Sequence, residues 1–335
     1  SESYFHMLSI SNFSIIQNQK QRRIMFKFTN EELYEIINIL DEKLKLLSFG
    51  DILEMEVLNP DIASSKYAGN VITIADTQYI YRGYKSWVDL SEILFCKMLT
   101  PQYIDEQTIK IRLKKLNTLD SFHISGVSKE EKYGIDSIFS NIHKNEEPAF
   151  LAPYLKALKN VDVNKRLRIL NLGINSGDEF DIIKKYASNF KNLELVGIDY
   201  SESAINQAKE KFQDDNVSFL VHDINDLETL KLEKFDLIIS VGTLQSTSID
   251  FKLVFMSLIQ NYLNKEGALI LGFPNCRWMD GEMIYGAKAK NYSFSEMSLL
   301  YKDVYFCKKY LQQKKFRVTL TGKNYIFLTA TSIRK

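Results

Sequence analysis

Residues 168–177 read RILNLGINSG, and the order of side chains in this short stretch decides the architecture. Ile169, Leu170 and Leu172 make a compact apolar run of the kind that forms a strand buried on both faces. Gly173 follows at once, then Asn175 and Gly177, and a helical pattern begins at Asp178 or Glu179. A glycine at the end of a strand lets the backbone bend sharply and lie against a ligand with no Cβ in the way. Downstream, 193–198 (LELVGI), 217–221, 235–241 (FDLIISV) and 268–273 (ALILGF) are further apolar runs. Helical patterns at 179–190, 203–212 and 253–263 separate them. This alternation predicts a mostly parallel, doubly wound α/β sheet with right-handed crossovers. Two β-rich runs, 316–321 and 325–330, flank the turn 321–324 (TGKN) and predict a terminal antiparallel hairpin.

Ligands of open α/β sheets sit at the C-terminal ends of the strands, where three groups of residues converge. The first is the glycine turn. The second is Asp199, at the tip of the second strand in VGIDYS, where a carboxylate can accept hydrogen bonds from both ribose hydroxyls of an adenosine. The third is Asp223-Ile224 after the third strand: the carboxylate can accept from an adenine amino group and Ile224 can pack on the ring.

Over about 170 residues, in LNLGINSG, VGIDYSESAINQAKEKF, VHDI, FDLIISVGTLQ and the closing hairpin, the chain resembles the class I S-adenosylmethionine-dependent methyltransferases. The resemblance implies a Rossmann-like seven-stranded sheet and S-adenosylmethionine as cofactor. It implies a binding set of Asn171, Gly173, Asn175, Gly177, Asp199, Tyr200, Asp223, Ile224 and Val241. The first motif departs from the family's acidic residue followed by Gly-x-Gly-x-Gly in two places: Asn171 stands for the acid and Asn175 for the middle glycine. Asn tolerates left-handed torsions better than other non-glycine residues, whereas Asn171 brings no charge toward the methionine ammonium. Three alternatives stay open: a non-catalytic scaffold on a degenerate methyltransferase fold, an RNA methyltransferase, and an NAD-dependent dehydrogenase. The last would place a pyrophosphate on a G-x-G-x-x-G turn, and this loop offers only Gly173 and Gly177.

Methyl transfer from a sulfonium is an in-line displacement that depends on alignment and exclusion of water. The loop after the fourth strand, 241–246, is expected to line the transfer channel, with Thr243 and Gln245 orienting a polar acceptor. The segment 274–292 (PNCRWMDGEMIYGAKAKNY) offers Arg277, Trp278, Tyr285 and Tyr292, and Gly281 and Gly286 suit the hinges of an active-site cover.

The preceding half has a different texture. Residues 29–47 carry a helical apolar pattern, with Thr29 or Asn30 as cap and Glu31 and Glu32 in the first turn. Residues 52–58, 71–74 and 79–81 predict a small antiparallel sheet, and 86–99 and 104–116 read as helices. The expected organisation is an N-terminal extension over 1–28, an α+β accessory or substrate domain over 29–145, and the cofactor-binding domain over 146–335, with the boundary region at 126–150 marked by Gly126, Gly134 and Pro148.

Among 335 residues, 43 basic and 42 acidic side chains nearly cancel. The first 150 carry 17 basic against 21 acidic residues and the remainder 26 against 21, which disfavours a protein that grips nucleic acid through a basic surface. A small molecule is therefore preferred over RNA or protein as the methyl acceptor. Cys96, Cys276 and Cys307 make neither a disulfide framework nor a metal-ligand spacing, the four histidines add none, and no run is apolar enough to span a bilayer. A cytoplasmic protein without metal or membrane partner is expected.

Overall fold

Strand, crossover helix and strand open the first of two units in the computed structural model, which describes residues 23–119, 142–246, 248–287 and 295–333. This unit comprises Ser1–Asp120 together with Met279–Ile284. Strand β1 (Arg23–Lys27), within the stretch the sequence assigned to an extension, runs parallel to β2 (Ile52–Leu58), and helix α1 (Leu33–Lys45) makes the crossover. Ile36, Leu40 and Leu44 of α1 are buried at helical spacing in one cluster with Leu53, Met55 and Val57. The helix is capped at Glu32, whose backbone N–H donates to Glu35 Oε2 at 3.0 Å, and not at Thr29 or Asn30. Glu31 instead accepts from the Thr29 backbone at 2.6 Å, which keeps it out of the first turn.

Strands β3 (Val71–Ile74) and β4 (Thr77–Ile80) pair only with each other, as a hairpin whose turn residues Ala75 and Asp76 both have positive φ, so they do not extend the sheet of β2. Helix α2 (Tyr84–Ile93) is shorter than expected and gives way to β5 (Cys96–Tyr103). The expected helix over 104–116 is strand β6 (Thr108–Lys115): Ile109, Ile111 and Leu113 are buried at every second position, a period no helix satisfies. The order β1-β2-β6-β5 puts Pro101 on an edge strand, beside a register shift between Leu99 and Gln102, where its missing N–H is tolerated.

The second unit comprises Ser121–Trp278 and Tyr285–Lys335. Helix α3 (Pro148–Asn160), with proline in its first turn, leads to β7 (Arg168–Leu172). Then follow α4 (Asp178–Tyr186), β8 (Glu194–Asp199), α5 (Glu202–Lys211), β9 (Val217–Val221) and β10 (Phe235–Val241). Helix α6 (Phe251–Ser257) runs into a π-helical turn at Leu258–Tyr262 and then into β11 (Leu263–Pro274). The chain continues through β12 (Cys276–Met279), β13 (Glu282–Tyr285), α7 (Ser298–Gln313), β14 (Phe316–Thr321) and β15 (Tyr325–Ser332).

Seven strands line up as β14-β15-β11-β10-β7-β8-β9, all parallel except β15, which is antiparallel to both neighbours. The predicted doubly wound sheet with its closing hairpin is therefore present. Strand order reverses at β7, with β8 and β9 on one side and β10 and β11 on the other, and this switch point opens the crevice an α/β sheet offers a ligand. One face is sealed by a cluster that includes Leu170, Ile198, Ile238, Phe255 and Phe273. Helix α4 ends at Tyr186 rather than at 190, and a single 3₁₀ turn at Phe190–Asn192 leads into β8.

The segment expected to be a loop over the site is instead the hairpin β12–β13, turning at Asp280 and Gly281, both at positive φ. Its tip is part of the first unit, where Met279 and Ile284 cluster with Leu116 and Lys97 pairs with Glu282. Gly286 has φ +100°, and a Cβ there would lie 2.3 Å from Ser295 Oγ; Tyr292 lies outside the described residues, as does most of the 126–150 boundary region. No helix among the described residues is long and apolar enough to cross a membrane.

Ser201 caps α5 by accepting from the Ala204 backbone at 3.3 Å. Ser201→Ala is expected to cost about 1 kcal/mol and to lower the melting temperature by roughly 2–4 °C. An unshifted thermal melt would show that the cap contributes nothing.

A candidate cofactor site at the strand ends

The glycine turn after β7 is built from left-handed backbone: Gly173 has φ +75°, Asn175 φ +48° and Gly177 φ +89°. Asn175 thus takes the torsion that Asn adopts more readily than other side chains. Gly173 donates to Ile198 O at 2.8 Å, and a Cβ on it would lie 1.8 Å from Thr243 Oγ1. The loops after β7 and β10 therefore meet at Gly173, and only a residue without a side chain fits between them. A Cβ on Gly177 would strike the Phe212 ring at 2.6 Å.

Asp199 ends β8 and ties the turn to its neighbour. Its Oδ2 accepts from the Asn175 backbone at 2.8 Å and its Oδ1 from the Ser201 backbone at 3.0 Å, and the Tyr200 backbone N–H also donates to the carboxylate, so only part of its acceptor capacity is left for a ligand. Burial raises the carboxyl pKa above its ordinary value, against the pull of the Ser201, Asn175 and Tyr200 backbone N–H groups and of Lys144. Tyr200 itself is 45% exposed beside the turn. Asp223 caps the 3₁₀ turn Ile224–Leu230, with Oδ1 accepting from both nitrogens of Asn225 at 2.9 Å. Ile224 is drawn into the core cluster beside Leu227. Val241 is buried against Gly272.

Gln245 places a buried Oε1 without a hydrogen-bond partner in the loop after β10. Arg277 is buried in β12, donates from Nη2 to Ser295 Oγ at 3.2 Å, and has its pKa lowered by burial. Asn171 is fully buried, and neither its amide oxygen nor its amide nitrogen has a partner. A buried polar group left unpaired costs about 1–3 kcal/mol, so such groups mark where a polar ligand would be received.

Sequence reasoning missed the ion pair of this site. Lys144 Nζ lies 2.7 Å from Oε1 of Glu179, which is fully buried, while the lysine side chain is 12% exposed. Burial opposes the ammonium, but Glu179, Asp178 and Asp199 outweigh it and raise the Lys144 pKa. For Glu179, burial raises the carboxyl against the attraction of Lys144. A glutamate in the first turn of a helix reads in sequence as an exposed complement to the dipole, and its partner lies 35 residues away. Among the described residues no three metal-binding side chains come together.

The residues present fit S-adenosylmethionine. The glycine turn admits close backbone approach, Asp199 keeps acceptor capacity beyond its backbone donors, and the orphaned amide of Asn171 lies beside them in sequence and strand order. A shallow depression of about 210 Å³ lined by Asn160, Arg317, Thr319, Thr329 and Thr331 lies toward the opposite ends of the strands and takes no part in this arrangement.

Residues 163–320 match a family model described as a methyltransferase domain. No curated protein matches the sequence. Among solved structures, the plantazolicin methyltransferase with S-adenosylhomocysteine bound is 14% identical, with a TM-score of 0.43 over 59% of this chain and 89% of that one. The magnesium protoporphyrin IX methyltransferase of Synechocystis, with S-adenosylmethionine bound, is 15% identical, with a TM-score of 0.37 over 64% and 89%. The N-methyltransferase NodS of Bradyrhizobium japonicum is 14% identical, with a TM-score of 0.38 over 57% and 99%.

Proposed function

Because residues 163–320 match a methyltransferase-domain model and fold as a seven-stranded α/β sheet, we propose that this protein is a class I S-adenosylmethionine-dependent methyltransferase that methylates a small-molecule acceptor through the crevice between β7 and β10. The observation that carries the reading is the Asp199 carboxylate, fixed at the end of β8 by backbone donors from the glycine turn and from α5. In that position Asp199 receives the ribose hydroxyls. Asp223, at the end of β9, faces the adenine amino group. When bound, S-adenosylmethionine supplies a sulfonium-activated methyl group. The chain then has to hold the acceptor in line and keep water out. Thr243 lies against Gly173 at the crevice, and the unpaired Oε1 of Gln245 is an acceptor for an N–H or O–H on the substrate. The near balance of charge over the chain supports a small molecule over RNA.

The acceptor class is tested by incubating the protein with methyl-labelled S-adenosylmethionine and cell extract separated into small-molecule, RNA and protein fractions. Label is expected in the small-molecule fraction; label confined to RNA or protein would overturn this preference.

The Asp199 assignment also fixes a pH dependence. Ribose hydroxyls donate to the ionised carboxylate, so affinity for S-adenosylhomocysteine should fall as pH drops through the raised pKa of Asp199, earlier than an ordinary aspartate near 3.8 would allow. A raised folded-state pKa means that protonation favours the folded chain, so this loss precedes any unfolding that Asp199 itself would cause. Calorimetric titrations from neutral pH down to the ordinary aspartate range check it, and Asp199→Asn should flatten the dependence. A flat profile in the unsubstituted protein would remove Asp199 from the ribose.

A further inference from the structure

Four buried polar atoms lack a hydrogen-bond partner in and near the Lys144–Glu179 ion pair: Oε2 of Glu179 itself, Oδ1 of Asn145, the residue after Lys144, and Oδ1 and Nδ2 of Asn171 in β7. Asn145 is joined to the pair through its neighbours, for its Nδ2 donates to Asp178 O at 3.0 Å. Asn171 is on the same side of the sheet. It lies in register with Gly197, which lies in register with Phe219, and Phe219 packs on Phe180, the residue after Glu179. Tyr154 of α3 covers the same place, donating to Glu179 O at 3.4 Å.

This grouping has a definite chemical complement. Asn145 Oδ1, Glu179 Oε2 and Asn171 Oδ1 are three acceptors, and an alkylammonium carries three donors. Asn171 Nδ2 and the Lys144 ammonium are donors, and a carboxylate takes donors only. A zwitterionic α-amino acid satisfies both sets at once, whereas a simple cation leaves Asn171 Nδ2 without a partner and a simple anion leaves the three acceptors without one.

Resting on the cofactor reading above, we infer that Glu179 and Lys144, with Asn145 and Asn171, form the receptor for the amino-acid end of S-adenosylmethionine. Glu179 supplies the negative charge that Asn171 lacks, and Lys144 neutralises the carboxylate. The altered first motif is thereby compensated by a carboxylate eight residues further along the chain, in the first turn of α4.

The test compares S-adenosylhomocysteine with 5′-methylthioadenosine, which keeps adenosine and sulfur and lacks the amino acid. By calorimetry the unsubstituted protein should prefer S-adenosylhomocysteine by at least about tenfold, because charge-assisted hydrogen bonds distinguish the two. In Lys144→Met/Glu179→Gln that preference should shrink to about threefold or less, with methylthioadenosine affinity unchanged, which also shows that the variant folds. Should the double variant fail to melt cooperatively, the unsubstituted protein still decides the matter: S-adenosylhomocysteine amidated at its carboxylate should bind at least about tenfold more weakly than the parent. Equal binding of methylthioadenosine and S-adenosylhomocysteine, or a preference that survives in the double variant, would overturn this receptor while leaving the cofactor reading intact. Binding of neither compound would overturn both.

Discussion

Replacing Asp199 by alanine is expected to weaken S-adenosylmethionine binding by between about tenfold and a hundredfold, since each charge-assisted hydrogen bond contributes about 1.5–3 kcal/mol and tenfold corresponds to about 1.4 kcal/mol. The structure enlarges the effect beyond the ribose. The same carboxylate holds the Asn175 backbone at 2.8 Å and the Ser201 backbone at 3.0 Å, so its removal also releases the glycine turn on which the cofactor would lie. Asp199→Asn separates the contributions: an amide oxygen retains an acceptor for one contact but presents N–H groups to the other, so an intermediate affinity is expected. Calorimetry on both variants measures the difference. Unchanged affinity in Asp199→Ala would eliminate the ribose assignment.

Gly173→Ala should lower stability by about 2–4 kcal/mol and the melting temperature by roughly 5–10 °C, through two additive causes. An alanine at φ +75° is strained, and its Cβ would lie 1.8 Å from Thr243 Oγ1 and 2.6 Å from Thr243 Cβ. The second cause can be removed independently. Thr243→Gly in the same chain takes away all three overlapping atoms and should recover the steric part, leaving only the torsional strain of about 1–2 kcal/mol. Thermal melts of the single and double variants decide it. A single variant that melts like the parent would contradict the close approach of the two loops.

The C-terminal sheet was legible because its strands are buried on both faces, so RILNL and FDLIISV are continuous apolar runs that only a covered parallel sheet accommodates. Gly173 and Asp199 were legible for a related reason: each occupies the end of such a strand, where its position follows from the chain alone. The N-terminal unit was harder. Strand β6 alternates buried and half-buried residues, and TIKIRLKK carries lysines and leucine at spacings that also suit a helix; the alternation of Ile109, Ile111 and Leu113 shows its meaning only once β2 and β5 flank it. Strand β1 is five residues whose parallel partner lies beyond a whole helix. In the site, Lys144 and Glu179 escaped notice because each alone is an ordinary surface charge, and only the packing of the turn before α3 against the start of α4 brings them together. Arg277, read from the sequence as part of a loop, sits in strand β12 and donates a guanidinium N–H to Ser295 Oγ.

The central claim, that the crevice at β7 receives S-adenosylmethionine, is tested most directly by calorimetric titration of the purified protein with S-adenosylmethionine and S-adenosylhomocysteine, with NAD as the control. The account predicts dissociation constants in the micromolar range, or about 8 kcal/mol, for the first two and no heat from NAD. Absence of binding by both would leave the domain a scaffold, and binding of NAD alone would contradict the cofactor assignment outright.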